Sequence, residues 1–279
     1  MKSVGVIGLG LIGGSMAKAV SSKTYSRVYG TDRSSAVVEA AMADGTLSGK
    51  LEDHYEDIDI LIVALYPLDV VDIILKTAPK LKKGCIVIDC TGVKKIICSG
   101  ISEKLTAPVR FIGGHPMAGR EVAGYANSLE ELFDGASMIL CRDDDTDEEA
   151  LKEACDFFPK LGFAQVKITT PEEHDSVIAY TSQLAHVVSS SYIKSPTLEK
   201  RYGFSAGSFA DMTRVAKLNE EMWADLFLAN PDALLFEINA IMSHLDEYAR
   251  AIEEGDRQTL VGLLRDGRIR KEKDLWISD

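Results

Sequence analysis

The sequence predicts an α/β fold in two parts: a mostly parallel sheet with covering helices over residues 1–169, then an all-helical domain over residues 170–279. Three observations carry this. Seven short apolar runs rich in β-branched residues alternate with helical or loop stretches through the first part. A glycine-rich turn follows the first of these runs. From Thr170 onward the strand signals stop and apolar residues recur at three- and four-residue spacing.

Val4 to Ile7 suits a buried strand, and it runs directly into Gly8-x-Gly10-x-x-Gly13. Gly8 permits a tight turn, Gly10 lets backbone approach a pyrophosphate, and Gly13 lets the next helix, expected over Gly14 to Ser21, pack closely on the strand. Leu11 and Ile12 fall where that helix starts, with its amide dipole facing the phosphates. A GxGxxG pattern alone matches many loops by chance. Here a second strand-like run, Arg27 to Thr31, ends at Asp32, nineteen residues beyond Gly13, where an acid takes the ribose hydroxyls of an adenosine. The first part therefore reads as a Rossmann-type dinucleotide-binding domain with Gly8, Gly10, Leu11, Ile12, Gly13, Asp32 and Arg33 at the cofactor. The carboxylate of Asp32 favours NAD over NADP because it would repel a 2′-phosphate, a preference that the neighbouring Arg33 tempers.

Further strands are expected at Ile60 to Ala64, Cys85 to Asp89, Arg110 to Ile112, Ser137 to Cys141 and Gln165 to Thr169. The acidic run from Asp143 to Glu149 reads as a solvated loop leading into a helix. Thr170, Pro171 and Glu173 then supply a capping hydroxyl, a proline at the first helical position and an acid three residues after the cap. The clearest later helix begins at Asn230-Pro231 and carries Leu234, Leu235, Ile238, Ile241, Met242, Leu245, Tyr248 and Ile252 before Gly255. Such a stripe is core or subunit interface, and 110 residues bearing stripes of this kind have little core of their own to cover them, so a homodimer is expected.

Composition narrows the function. With 43 acidic and 31 basic residues the formal charge is −12, which argues against a nucleic-acid surface and against an anionic membrane. The five cysteines are odd in number and form no C-x-x-C pair, so neither a disulfide framework nor a metal site is indicated, and reduced thiols in the cytoplasm are the simple reading. No apolar run is long enough to span a membrane, and no cleavable leader is evident.

In a fold of this type substrate lies in the crevice beyond the carboxyl ends of the strands, so polar residues in loops after strands carry the information. Gly113-Gly114-His115-Pro116-Met117-Ala118-Gly119 places a histidine on what reads as a rigid, glycine-flanked turn near the nicotinamide end of that crevice. A loop histidine is more often merely solvated, but a neutral imidazole there is a competent base near pH 7.

The glycine-rich turn, this His-Pro-Met-Ala-Gly segment, Asp211-Met212-Thr213-Arg214-Val215-Ala216 and Met222-Trp223-Ala224-Asp225-Leu226-Phe227 together resemble the prephenate dehydrogenase family of tyrosine biosynthesis, in the family's order and over nearly the whole chain. The resemblance implies NAD-dependent oxidative decarboxylation. His115 would take the proton of the C4 hydroxyl while hydride leaves C4, and loss of the ring carboxylate as CO2 would give 4-hydroxyphenylpyruvate. It further implies that Arg214 holds a substrate carboxylate, which suits a guanidinium fork, and that His186 and Glu121 line the substrate cleft. Two positions depart from the family pattern. Asp89-Cys90-Thr91-Gly92-Val93-Lys94 stands where Asp-x-Gly-Ser-x-Lys is common, so Thr91 is expected to supply the hydroxyl one position early. Ala185 stands where proline commonly precedes the helix histidine, His186.

Arogenate, which carries an amino-acid side chain in place of the pyruvyl group of prephenate, is the alternative substrate; Glu121 suits an ammonium and Arg120 a carboxylate, so the local charges argue both ways. A β-hydroxyacid dehydrogenase would share the architecture but relies on a helical-domain lysine in a pattern not found around Lys194, Lys200 or Lys217. A non-catalytic NAD-binding redox sensor would not need His115 and Arg214 to converge.

Overall fold

The computed structural model describes residues 2–204 and 206–275. Strands β1 (Ser3–Ile7), β2 (Arg27–Thr31), β3 (Gly49–Lys50), β4 (Ile60–Val63), β5 (Ile86–Asp89), β6 (Arg110–Pro116), β7 (Ser137–Cys141) and β8 (Gln165–Thr169) form one sheet in the order β3-β2-β1-β4-β5-β6-β7-β8. All neighbours pair parallel except β6 and β7. The chain works outward from β1 to β3 on one side and returns to start again at β4 on the other. The carboxyl ends of β1 and β4 therefore diverge, which opens the crevice where this fold takes a dinucleotide.

Helices α1 (Leu11–Lys23), α2 (Ser35–Ala43), α3 (Pro67–Thr77), α4 (Lys95–Ser102) and α5 (Glu148–Phe157) cover the sheet. The central strands are buried on both faces, so their side chains divide between two cores. Val4, Val6, Ile60, Ile62, Ile86 and Ile88 pack with Met16 and Val20 of α1 and Phe157 of α5. Ile7, Leu61, Val63 and Val87 pack on the other face with Val70 and Ile74 of α3 and Ile97 and Ile101 of α4. This explains why the strands read as continuous apolar runs with no polar face.

Two glycines are dictated by space. Gly8 has a φ of +86°, and a Cβ there would lie 2.4 Å from the Ala64 carbonyl oxygen. A Cβ on Gly13 would lie 1.8 Å from the Gly8 carbonyl oxygen, so only glycine lets α1 start this close to the end of β1. Helix α1 accordingly extends further in both directions than the expected Gly14 to Ser21.

The expected segment boundaries are close to those observed, with two differences. The two-residue β3 has too little apolar sequence to be read as a strand. Strand β6 continues to Pro116, so His115 lies in a strand and not on a glycine-flanked turn. It pairs parallel with β5 as far as Ile112, then antiparallel with β7 from Gly113, His115 facing Ile139. The glycine pair made this stretch look like a loop, whereas it marks the point where the strand exchanges one partner for another.

Asp147 caps α5 by accepting from the Ala150 amide, at the end of the acidic loop. Thr170 caps α6 (Pro171–Ile178) by accepting from the Glu173 amide at 3.2 Å. Helix α6 runs through a π-helical turn, Ala179–Gln183, into α7 (Leu184–Tyr192). Then follow α8 (Gly207–Thr213), α9 (Glu220–Leu228), α10 (Pro231–Glu253) and α11 (Arg257–Leu275). Compactness divides the chain into one unit up to Pro231 and a second from Asp232, so the segment from α6 to α9 belongs with the sheet. No helix among the described residues is long and apolar enough to cross a membrane.

Candidate active site

At the carboxyl end of β1, the turn into α1 is built for an anion. Gly10 is the helix N-cap and contributes no capping side chain, and the first turn carries no acid, so the helix supplies no carboxylate of its own to the amides of Leu11, Ile12 and Gly13. A Cβ on Gly10 would meet nothing within 4 Å, which leaves an open approach to those amides. Asp32, at the end of β2, is held in place by two backbone donors. Its Oδ2 accepts from the Leu9 amide at 2.8 Å and its Oδ1 from the Ser34 amide at 2.9 Å. Each oxygen keeps a second lone pair for a ribose hydroxyl. The residues present thus fit a dinucleotide, with Arg33 exposed beside the acid.

His115 sits at the same end of the sheet. Its Nε2 and Cε1 lie 3.8 Å from where a Gly92 side chain would begin. On the other side, its Nδ1 is 2.9 Å from Nε2 of His174 in α6, and Nδ1 of His174 is 2.7 Å from Oδ1 of Asp175. Burial lowers the pKa of His115 well below the ordinary histidine value, and His174 and the Lys94 ammonium add to the effect. Burial lowers that of His174 as well, against the pull of Asp175. Both imidazoles are therefore neutral near pH 7.

Beneath His115 lies a buried ion pair between Lys94 and Asp89, with both side chains inaccessible to solvent. Oδ2 of Asp89 also accepts from the Thr91 amide and hydroxyl, and Oδ1 accepts from the Gly114 amide at 3.1 Å. The carboxylate is saturated with donors, which offsets its desolvation, and through Gly114 it anchors the strand that carries His115. The Thr91 hydroxyl, expected at the substrate, is instead buried and committed, 2.5 Å from Asp89 Oδ2 and 2.9 Å from the Val93 carbonyl, so it braces the buried ion pair. Burial pushes the thiol of neighbouring Cys90 up to about 12, which disfavours the thiolate form that a nucleophile needs.

A second group of residues is assembled by α7, α8 and α9. His186 is half-buried, with its ring centroid 3.7 Å from that of Trp223 and its Nδ1 3.1 Å from the Val215 carbonyl. Burial lowers its pKa, partly opposed by the bond to Val215. Arg214 and Glu121 meet directly, Nη1 to Oε1 at 2.5 Å, in an exposed ion pair whose charges are felt by His186. Helix α9 runs from this group towards the first: Trp223 packs against His186 with the rings tilted by 35°, and Leu226, three residues on, faces Gly92 beside His115. His115, His186, Arg214 and Glu121 all lie within one compact unit, with Leu226 and His115 both near Gly92 and the Arg214–Glu121 pair near His186.

Sequence reasoning missed His174 and Asp175. Their signal was present as two adjacent polar residues in the first turns of a well-capped helix, but nothing in the sequence shows that this helix faces β6.

Comparison with known proteins agrees with this architecture. The family model for the nucleotide-binding domain of prephenate dehydrogenase matches residues 16–167, and that for its dimerization domain matches residues 170–266. The chain is 31% identical to the prephenate dehydrogenase of Lactococcus lactis over 96% of this chain and 76% of that protein. It is 32% identical to the cyclohexadienyl dehydrogenase of Zymomonas mobilis over 93% and 92% of the two chains. The crystal structure of prephenate dehydrogenase from Aquifex aeolicus in complex with hydroxyphenyl propionate and NAD+ superposes with a TM-score of 0.87, covering 98% of each chain at 27% identity. Two family models that between them span most of the sequence, with relatives aligned along nearly all of it, place the chain in the prephenate dehydrogenase family.

Proposed function

We propose that the protein is an NAD-dependent prephenate dehydrogenase, with His115 as the catalytic base and Arg214, His186 and Glu121 at the substrate. The observation that carries this reading is His115 itself, a neutral histidine held at the carboxyl edge of the sheet with Nε2 directed to the Gly92 side. The anion-binding turn at Gly10 lies at the end of β1 in the same sheet. When bound, NAD supplies the acceptor for the hydride leaving C4 of the ring. His115 Nε2 takes the proton of the C4 hydroxyl as hydride leaves C4, the ring carboxylate departs as CO2 while its bonding electrons complete the aromatic ring as a phenolate, and His115 returns the proton to that oxygen to give 4-hydroxyphenylpyruvate. No carbon of the product ring needs a proton, and aromatisation makes the reaction effectively irreversible.

Arg214 provides the planar fork for a substrate carboxylate, which would compete with Glu121 for the guanidinium. Gly8, Gly10, Leu11, Ile12 and Gly13 hold the pyrophosphate, and Asp32 the adenosine ribose, with Arg33 beside it. Thr91 acts only through the buried network below. The working form is a homodimer, supported by the dimerization-domain match over residues 170–266. Its free cysteines suit the cytoplasm, where thiols stay reduced.

The test is NADH formation by the purified protein with prephenate and, in parallel, with arogenate. Higher kcat/KM on prephenate is the expected result. Higher kcat/KM on arogenate would reassign the substrate, a relevant outcome because a structural neighbour at TM-score 0.84 is the arogenate dehydrogenase of Synechocystis. NAD binding without turnover of either compound would overturn the catalytic reading.

A further inference from the structure

His115 is the base, and its ring is one end of a line of hydrogen-bonded groups that runs through His174 to Asp175. Asp175, the far end, is surrounded by donors: the Lys94 amide at 2.7 Å on Oδ1, the Lys95 amide at 2.9 Å on Oδ2, and Nδ1 of His174 at 2.7 Å on Oδ1. It sits against the first turn of α4, where the helix dipole favours a carboxylate. Its own backbone is pinned, since Asn230 Nδ2 donates to the Asp175 carbonyl at 2.9 Å and, also at 2.9 Å, to Oε1 of Gln183.

These contacts settle the proton positions by elimination. A carboxylate only accepts, so Nδ1 of His174 carries the proton in their shared bond. A neutral imidazole has one N–H, so Nε2 of His174 is an acceptor. Nδ1 of His115, 2.9 Å away, must then be the donor, and the lone pair of His115 is left on Nε2, the nitrogen next to Gly92.

We propose that Asp175 and His174 are positioning residues that lock His115 in the tautomer whose Nε2 is free to take the substrate proton. The relay orients the ring as well, through the 2.9 Å contact between Nδ1 of His115 and Nε2 of His174. It stabilises the imidazolium formed during turnover, with Asp175 as the counter-charge two bonds away and no transfer of the proton to the carboxylate required. The proposal rests on the assignment of His115 as base.

The direct readout is the nitrogen-15 spectrum of the imidazole side chains in the intact protein, at a pH where both rings are neutral. In the parent, His115 should show a protonated Nδ1 and an unprotonated Nε2. His174→Phe keeps a planar ring but removes the acceptor, so His115 should populate both tautomers. Its kcat should fall roughly tenfold to a hundredfold, the scale on which an orienting partner of a histidine acts, with KM for prephenate and affinity for NAD little changed. His174→Gln can accept from His115 through its oxygen and donate to Asp175 through its nitrogen, and should recover most of the loss. A parent spectrum with the proton on Nε2 of His115, or a His174→Gln enzyme as slow as His174→Phe, would overturn the relay. Failure of the underlying assignment looks different: full turnover by His115→Asn would remove His115 as base while leaving the tautomer measurement intact.

Discussion

At the scale of single residues, the burial of His115 has a consequence for pH dependence. A histidine on a solvated turn would be expected to lose activity as pH falls through about 6 to 7. In the strand, burial first, then His174 and Lys94, disfavour the imidazolium and hold its pKa well below 6.5. The neutral base therefore persists to lower pH, and the acid limb of kcat/KM, which reports groups of the free enzyme, should have its midpoint below 6.5. A midpoint at or above that value would show that the ring is solvated. Substitutions at the two ends of the site should separate in kind. His115→Asn should cut kcat by about two to four orders of magnitude with cofactor affinity preserved. Arg214→Ala should mainly raise KM for the substrate, because a carboxylate fork acts in the ground state as well as the transition state. Asp32 is the third such residue. Its carboxylate would repel a 2′-phosphate, so NAD should be preferred in the parent, and Asp32→Ser should move the ratio of kcat/KM values towards NADP. A parent that used NADP at least as well as NAD would refute the reading of this acid. Serine can retain only part of the bonding to the Leu9 and Ser34 amides, so total activity should also drop.

At the scale of elements, the turn between β1 and α1 is the tightest constraint in the molecule. Gly13→Ala would put a carbon 1.8 Å from a backbone oxygen that cannot rotate away, so α1 must move off the strand. Overpacking of this kind costs about 1–3 kcal/mol. Because α1 also presents the amides, NAD affinity should fall by about tenfold or more together with a lower Tm. Unchanged NAD titration would mean that the turn is not the phosphate site. This turn was legible in the sequence because its spacing is local, as were the capping of α6 by Thr170 and the start of α10 at Pro231. The role of Thr91 was not legible, because its environment is set by Asp89, Val93 and Lys94 folding over it. Nor was the strand character of His115, which depends on pairing with β7, more than twenty residues later in the sequence. The π-helical turn between α6 and α7 is a further element that sequence spacing hides. Twelve residues separate His174 from His186, a rotation of roughly 120° in a regular α-helix at about 100° per residue. The wider π turn removes most of that difference, which brings the two histidines towards one face, and such turns often occur at functional sites.

At the scale of the whole molecule, the second unit poses a problem that a single chain does not solve. Helix α10 exposes Leu235, Met242, Leu245 and Ile252, and α11 exposes Leu264, each with more than half of its surface accessible in the single chain. On α10 these four residues fall at intervals of seven, three and seven. At about 100° per residue they lie within a stripe roughly 100° wide, the width of a packing face. A continuous apolar stripe on a monomer is a liability, since burying each such side chain is worth on the order of 1.5–3 kcal/mol. Closed two-fold pairing is the simplest way to cover a self-complementary helix face, and it agrees with the dimerization-domain match that includes all of α10. Light scattering at micromolar concentration should therefore give twice the mass of the 30.4 kDa chain. Met242→Glu together with Leu245→Glu would place two like charges at the centre of the stripe and should yield monomers. The residues of the candidate site all precede Asp232, whereas the stripe lies beyond it. The variant should thus keep its NAD-binding turn intact, and NAD affinity measured on the monomer should stay within about threefold of the parent, a change of less than ~0.7 kcal/mol. A parent that is monomeric at this concentration, or a variant that still dimerises, would show that α10 is covered in some other way.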